Sequence, residues 1–333
     1  MTSTLVDLIF QENPGKKRQE FLKKIEEEIK KSQSLGSDIC VMSLATNVYT
    51  PSPVTFLGYH IMGHIEEQLV KFRQDGCRNV LILLSTYGGE ITFPEALVSK
   101  IRDMDFENAY TFILDVAFSA GTLLALLSNK IVGFPNAHVG PVDPQMIVAG
   151  PQGITSVIGA MTVKRLIEEV LPQLAIQQGI GKEGLTRLYA AQDLYLYEKA
   201  LESIKYIEDI FSDKICKTVK RCEELKKLLL HGATEHSQPI SLRQLAEIIP
   251  EKVMLIDDSP SQPLSELVIS YRALLRYLFN FESRPGVAPG TIKLFVIGSK
   301  YGEIIGEASP FPTQIPPTRP LPPPLQEKPQ QKS

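Results

Sequence analysis

Two short apolar runs, each stopped by small residues, limit the folds that are open to this chain. The first covers residues 79–85 (NVLILLS) and ends before Gly88 and Gly89, and the second covers 109–116 (AYTFILDV) and ends before Ser119. Both runs are rich in Leu and β-branched residues and too short for buried helices, so they predict strands that are buried on both faces. A helix is predicted after each strand, and this alternation indicates an α/β fold with a parallel sheet.

The small residues follow the strands at the edge where open α/β sheets place their sites. Gly88 and Gly89 allow positive φ angles and leave backbone N–H groups unshielded toward an anion. Ser119 lies at a predicted strand-to-helix turn, where unpaired N–H groups and the helix dipole stabilise a developing oxyanion. The pattern predicts an oxyanion loop beside a nucleophilic serine. The alternative is that Ser119, Ala120 and Gly121 are small only so that the helix packs closely on the sheet.

The residues around both motifs resemble a known family. The stretches LILLSTYGGEITFPEALVSKIRD and FSAGTLLALLSNKIVGFPNAHVGPVDPQ are similar to the serine dehydrogenase proteinases, relatives of signal peptide peptidase A in the Clp protease and crotonase superfamily. The resemblance covers residues 38 to about 258, and its most specific motifs are 119–122 and 140–145. It implies a Clp/crotonase-like α/β fold of repeated ββα units with a parallel sheet and helical additions.

The resemblance also implies a serine peptidase that needs no cofactor. Ser119 would be the nucleophile, and the backbone N–H groups of Gly88, Gly89 and Ala120 would form the oxyanion hole. The family usually has a proline before the paired glycines, whereas this chain has Tyr87. The oxyanion loop therefore departs from the family pattern at that position.

A serine nucleophile needs a group that accepts its proton, and relatives of signal peptide peptidase A use lysine. Residues 190–211 have the apolar spacing of one long helix, and within it Lys199 matches a family motif. Lys199 is the predicted general base, because burial beside Leu196 and Ala200 would lower its pKa toward neutrality. Lys164 is the second candidate.

Three further residues are candidates for supporting roles. Clp proteases carry their histidine where this chain has Val142 and Asp143, so the Clp-type triad is absent; Asp143 either orients a catalytic group or caps a neighbouring turn. Asp193 precedes the motif that contains Lys199. His236 belongs to the family-like stretch TEHSQPI, and it either forms part of a structural turn or has a role near the site. Two other histidines have i, i+4 spacing but lack a further ligand, so no metal site is predicted.

Composition excludes several classes of function. A net charge of −3 with balanced basic clusters leaves no electrostatic footprint for nucleic acid. Residues 109–127 are apolar enough for a membrane span, but Asp115 and Ser119 interrupt them, and a strand followed by a helix explains them better. An integral membrane protein is not predicted, whereas peripheral association with a membrane is left open. Four cysteines without a CxxC motif predict reduced thiols in the cytoplasm, with Cys77 exposed.

The predicted organisation has three parts. Residues 1–35 form an N-terminal helical segment, 36–307 the Clp/crotonase-like protease domain, and 308–333 a disordered tail rich in proline. Residues 146–163 are predicted to be a flap or a contact between subunits, and 162–180 to supply the contacts of a homo-oligomer.

Two classes of function follow. The first is a cytoplasmic serine endopeptidase that uses a dyad of Ser119 and Lys199 to hydrolyse a peptide or protein substrate through an acyl-enzyme. The second is a non-catalytic crotonase-fold scaffold or interaction protein that keeps the oxyanion loop but has lost the base.

Overall fold

A central β-sheet with helices on both faces forms the body of the protein. A computed structural model describes residues 13–49, 56–149, 155–181, 183–184, 186, 194–231, 239–257, 259, 262–280 and 291–308. The strands in these residues are β1 (Ile39–Thr46), β2 (Asn79–Thr86), β3 (Asn108–Ala117), β4 (Lys130–Gly133), β5 (His138–Val139), β6 (Gln145–Ala149), β7 (Thr155–Gly159), β8 (Ile240–Ser241), β9 (Val253–Leu255), β10 (Ile292–Ser299) and β11 (Gly302–Ala308).

Helices connect most of these strands. Single π-helical turns occur at three places, Leu166–Val170, Phe211–Ile215 and Lys227–His231. The first joins two α-helices, and each of the other two extends the α-helix before it. The α-helices are α1 (Pro14–Ser32), α2 (Met62–Gln74), α3 (Phe93–Asp103), α4 (Ala120–Leu127), α5 (Ala160–Arg165), α6 (Leu171–Gln177), α7 (Leu194–Ile210), α8 (Cys222–Lys226), α9 (Leu242–Ile248) and α10 (Pro263–Asn280).

The sheet is mainly parallel. Its main path runs β11-β10-β1-β2-β3-β4-β9, and the steps from β1 to β9 are all parallel. The α/β prediction with a parallel sheet is therefore confirmed. Strands β10 and β11 add an antiparallel hairpin at the edge beside β1, which the sequence did not predict as a pair. Strand β11 carries few apolar residues, so its periodicity is weak.

Two hydrophobic cores cover the two faces of the sheet. Successive side chains of a strand point to opposite faces, so Met42 and Ile82 enter one core while Val41 and Leu81 enter the other. The first core also holds α2, α3 and α4, and the second holds α1 and α10. This arrangement explains why β2 is buried throughout and why its residues 80–84 are all apolar rather than alternating with polar ones.

Helix α1 packs on the sheet as part of the second core. Asn13 caps its first turn by accepting a hydrogen bond from the Gly15 N–H at 2.9 Å. Arg18 is fully buried and forms a bidentate ion pair with Glu303 of β11, with both N–O distances at 2.8 Å. The ion pair joins the helix to the edge hairpin.

The cysteines differ from the prediction. Cys40 is joined to Cys77, with their Cα atoms 5.8 Å apart, and Cys216 is joined to Cys222. Cys77 is only 4% exposed, because the turn before β2 packs against the start of the neighbouring strand β1. The expectations of reduced thiols and of an exposed Cys77 are therefore wrong.

Residues 109–127 form β3, the turn at Ser119 and α4, as predicted, and not a single apolar helix. In the part of the chain that the structure describes, no helix is both long and apolar enough to cross a membrane. The predicted flap is a hairpin of β6 and β7 followed by α5. The predicted tail lies outside the described residues apart from Ala308.

A glycine in α4 sets the distance between this helix and β2. A Cβ atom added at Gly121 would lie 2.5 Å from the Thr86 Cγ2 atom, which is too close for any real contact. We expect Gly121→Ala to lower the free energy of unfolding by about 1–3 kcal/mol, because the helix must move away from the sheet. Urea unfolding monitored by circular dichroism measures the change.

Gly63 is the matched control for this prediction. It is an exposed glycine in α2, and a Cβ atom there meets nothing within 4 Å. Gly63→Ala should raise stability by about 0.5–1 kcal/mol, since alanine is the better helix former. Equal effects of both substitutions would contradict the close approach of α4 to β2.

Candidate active site

Ser119 lies on a sharp turn between β3 and α4. Its backbone has φ 50° and ψ −115°, a conformation that residues with a Cβ atom rarely adopt, and it precedes the first residue of the helix. The Phe118 N–H donates to the Thr86 carbonyl at 3.0 Å, and the Gly121 N–H donates to the Phe118 carbonyl at 2.8 Å. These bonds hold the strained turn, which has the form of the nucleophile elbow in serine hydrolases.

Thr122 ties this turn to the loop of residues 140–145. Its hydroxyl oxygen accepts from the Gly140 N–H at 3.1 Å and lies 2.6 Å from the Ala117 carbonyl oxygen. The Val142 N–H donates to the carbonyl of Leu229 at 2.9 Å, which fixes the far side of the loop. The loop therefore forms a rigid wall beside Ser119.

The glycine loop after β2 is fixed by a threonine hydroxyl. The Gly88 N–H donates to the Thr86 Oγ1 atom at 3.0 Å, and the Thr46 hydroxyl donates to the same oxygen at 2.9 Å. The Gly88 carbonyl accepts from the Leu57 N–H at 2.8 Å. The Gly88 N–H already has an acceptor within the protein, so the prediction that it serves as an oxyanion donor is corrected.

Two other N–H groups are unpaired at this place. Within the described part of the chain, the N–H groups of Gly89 and Ala120 have no hydrogen-bond acceptor. The Leu57 N–H donates to the carbonyl of Gly88, and the Leu57 carbonyl accepts from the Glu90 N–H. The N–H and C=O groups of Gly89 therefore point away from Leu57. A Cβ atom on Gly88 would lie 2.9 Å from the Ser119 Cβ atom, so only glycine lets the loop approach the serine this closely.

Both unpaired groups border one cavity of about 300 Å³. Ser119 lines it, and the loop after β2, the start of α4, the loop of residues 140–145 and helix α7 form its walls. Among the residues that line it, Glu90 alone carries a titratable side chain. The lining residues are Gly89, Glu90, Ile91, Thr92, Ser119, Ala120, Leu123, Val142, Pro144, Gln145 and Ile207.

Lys199 does not have the surroundings that a lysine base requires. It is 47% exposed, and its ammonium nitrogen lies 2.6 Å from a carboxylate oxygen of Glu202. The hydrogen bond and the charge of Glu202 raise the pKa of Lys199. The residue lies two turns before Ile207, the residue of α7 that lines the cavity. The expectation of a buried Lys199 with a lowered pKa is wrong, because this face of α7 is solvent-exposed.

Lys164, the second candidate, has different surroundings from Lys199. It is half-buried on α5, and among the described residues no carboxylate lies within ion-pair distance of its ammonium group. The first turn of α5 is attached to the wall of the cavity, because the Ala160 N–H donates to the carbonyl of Pro144 at 2.7 Å.

Asp143 binds the start of α5. Its Oδ1 atom accepts from the Met161 N–H at 3.1 Å, so of the two predicted roles the structure shows the capping one. Burial raises the pKa of Asp143, and the hydrogen bond from Met161 opposes this. Asp193 and His236 lie outside the described residues. Within the described ranges, no cluster of three metal-ligating side chains occurs.

Thr86 is the residue of the site that sequence reasoning missed. Its hydroxyl accepts a hydrogen bond from the N–H two residues later, which is the local turn that Ser and Thr side chains commonly form. The signal was a threonine at the end of a strand and two residues before a glycine.

The comparisons with known proteins leave the function open. No family model matches the chain. Two uncharacterized proteins of Methanocaldococcus jannaschii are each 24% identical to it, over 56% and 55% of this chain, and the chain spans 59% and 57% of their lengths.

Similar solved structures include proteases and crotonases. One is a mutant of the membrane-bound stomatin-specific protease 1510-N from Pyrococcus horikoshii, with 12% identity, coverage of 66% of this chain and 79% of the other, and a TM-score of 0.37. Another is ClpP1 from Listeria monocytogenes, with 12% identity, coverage of 70% of this chain and 96% of the other, and a TM-score of 0.31. A third is a probable enoyl-CoA hydratase/isomerase from Mycobacterium abscessus, with 13% identity, coverage of 75% of each chain, and a TM-score of 0.33.

Proposed function

We propose that this protein is a serine peptidase that works through an acyl-enzyme on Ser119. The observation that carries the proposal is the geometry around this residue. The hydroxyl belongs to a strained turn at a helix N-terminus, and the unpaired N–H groups of Gly89 and Ala120 border the same cavity. Donors arranged in advance around a developing negative charge are usually the largest single contribution to this kind of catalysis.

The chemistry of such a site has two steps. The Ser119 oxygen attacks the peptide carbonyl carbon as its proton passes to a base, and the carbonyl oxygen becomes an oxyanion held by the N–H groups of Gly89 and Ala120. Collapse of this intermediate expels the amine, which takes the proton, and leaves an ester on Ser119. Water then hydrolyses the ester by the reverse sequence of proton transfers. No cofactor takes part.

The cavity supports a peptide as the substrate. The polar backbone groups of Gly89 face away from Leu57, so an extended chain can pair with this edge as an added strand. The cavity of about 300 Å³ is then available for one substrate side chain.

The base in this proposal is a lysine, and Lys164 takes precedence over Lys199. Lys164 is half-buried and belongs to the helix attached to the cavity wall, whereas Lys199 is exposed and paired with Glu202. The ion pair with Glu202 favours the protonated ammonium form of Lys199, which is the form that cannot accept a proton.

The cellular setting stays a prediction. Two disulfides remove the support that the cysteines offered for a cytoplasmic location, because disulfides persist mainly in oxidising compartments. A homo-oligomer is supported by apolar side chains that α6 exposes, such as Leu174 and Ile176.

A fluorophosphonate probe tests the proposed function, because it labels only activated serines. We expect the folded wild type to be labelled, Ser119→Ala to lose all labelling, and Lys164→Met to react more slowly than Lys199→Met. In-gel fluorescence over time measures the rates, and circular dichroism shows that each variant is folded. Absence of labelling in the folded wild type would favour the non-catalytic scaffold instead.

The threonine at the end of β2 generates a second prediction. Thr86→Val keeps the methyl group that packs on Gly121 but leaves the Gly88 N–H without its acceptor. The glycine loop should then shift, and the labelling rate of Ser119 should fall about ten- to hundredfold. Thr86→Ser keeps the hydroxyl and is the matched control. A rate in Thr86→Val equal to that of the wild type would show that this hydrogen bond does not position the loop.

The two roles considered for Asp143 predict different results. If the side chain only binds the Met161 N–H, Asp143→Asn keeps the acceptor and should leave serine labelling unchanged, while Asp143→Ala loses about 1 kcal/mol of stability. Because burial raises the pKa of Asp143, the wild type loses stability as the pH rises through that pKa, and the asparagine variant does not.

Asp143→Asn should therefore gain stability relative to the wild type as the pH rises, and the difference should vanish below about pH 4. Urea unfolding at several pH values measures it. Lost labelling in a stable Asp143→Asn protein would instead assign this residue a role in orienting a catalytic group.

A further inference from the structure

A second cavity of about 440 Å³ lies at the far end of helix α4 from Ser119. The eight residues of α4 make a helix about 12 Å long, so the two cavities are separate. Helix α3, the C-terminal end of α4, the segment of residues 214–218 and residues 251–252 form its walls.

A buried lysine without a carboxylate partner lines this cavity. Lys252 is only 5% exposed, and its ammonium group donates to the neutral Thr218 hydroxyl at 3.1 Å. Within the described residues, no carboxylate lies within ion-pair distance of it; the neighbouring Glu251 carboxylate accepts instead from the Lys220 N–H at 2.7 Å. Removal from water lowers the pKa of Lys252 to about 8. The charge of the neighbouring Glu251 opposes this shift without forming an ion pair. A buried cation without a directly paired anion is costly, so an anion bound beside Lys252 would stabilise the site.

Basic side chains surround the opening of the same cavity. In the described part of the chain, Arg102 and Lys217 have no carboxylate partner, and both are exposed. Lys214 pairs with Glu95, which also accepts from the Tyr206 hydroxyl at 2.6 Å. The lining holds four basic residues and two carboxylates, so positive charge is in excess. The four basic residues are Arg102, Lys214, Lys217 and Lys252.

We propose that this cavity binds an oxyanion, a phosphate or carboxylate group, that belongs to a small molecule with an apolar part. Lys252 supplies the buried counter-charge, and the Arg102 guanidinium supplies two parallel donors for two oxygens. Val98, Leu126 and Leu127 form an apolar wall for the rest of the ligand.

Calorimetric titration of the full chain with three aromatic probes tests this proposal. We expect phenyl phosphate or phenylacetate to bind and uncharged benzyl alcohol not to bind. The tighter of the two anions identifies the group as phosphate or carboxylate. Absence of binding by both anions up to about 10 mM would overturn the proposal.

Matched variants locate the binding. Arg102→Met and Lys217→Met change exposed residues and should preserve the fold, and each should weaken binding of the better anion about tenfold. Lys23→Met removes an exposed lysine of α1, distant in the fold, and should bind as the wild type does. Ser119→Ala should also bind normally, so this result does not depend on the proposed peptidase. Equal affinities in all four variants would place the anion elsewhere and overturn the proposal.

The pH dependence distinguishes Lys252 from the other charges of the cavity. Ion pairs and hydrogen bonds lower the pKa values of Glu95 and Glu251, so both stay carboxylates above neutrality. Affinity should fall by up to about tenfold between about pH 7 and about pH 9, as Lys252 loses its proton. Lys252→Arg keeps its charge and should remove this dependence. A wild-type affinity that does not change with pH would exclude Lys252 as the counter-charge. The other charged residues that face Lys252 are Arg102, Lys214 and Lys217.

Discussion

The parallel pairing of β2 with β3 is the interaction on which the candidate active site depends. It brings the carboxyl ends of two strands side by side, and its register shifts at the end so that Thr86 lies opposite Ala117. Thr86 then reaches both partners: its carbonyl accepts from the Phe118 N–H, and its hydroxyl accepts from the Gly88 N–H. One residue therefore positions the glycine loop and the serine turn together.

Most of the groups in this site belong to the main chain. Side chains act there mainly through their size, since Gly88 and Gly121 are the positions where a Cβ atom would force the loop and the helix apart. The hypothesis that these residues are small for close packing and the hypothesis that they belong to a catalytic site are therefore compatible. Close packing is what brings the N–H groups of Gly89 and Ala120 to the cavity that Ser119 lines.

Buried charge is treated in two different ways in this molecule. Arg18 is fully buried and has a bidentate partner in Glu303, so the ion pair is complete without any ligand. Lys252 is nearly as buried, but among the described residues its ammonium group has a neutral hydroxyl and no carboxylate as its partner. A charge that the fold does not neutralise is a feature of binding sites more often than of structural cores.

The sequence alone determined the parallel α/β core and the location of Ser119, because continuous apolar runs and the small residues after them are local patterns that a buried parallel sheet requires. It did not reveal that the Gly88 N–H is already bonded, that Cys40 meets Cys77, or that Lys199 faces solvent. Those features were decided only by the tertiary structure, since hydrogen-bond partners, thiol pairs and the burial of a lysine depend on segments distant along the chain.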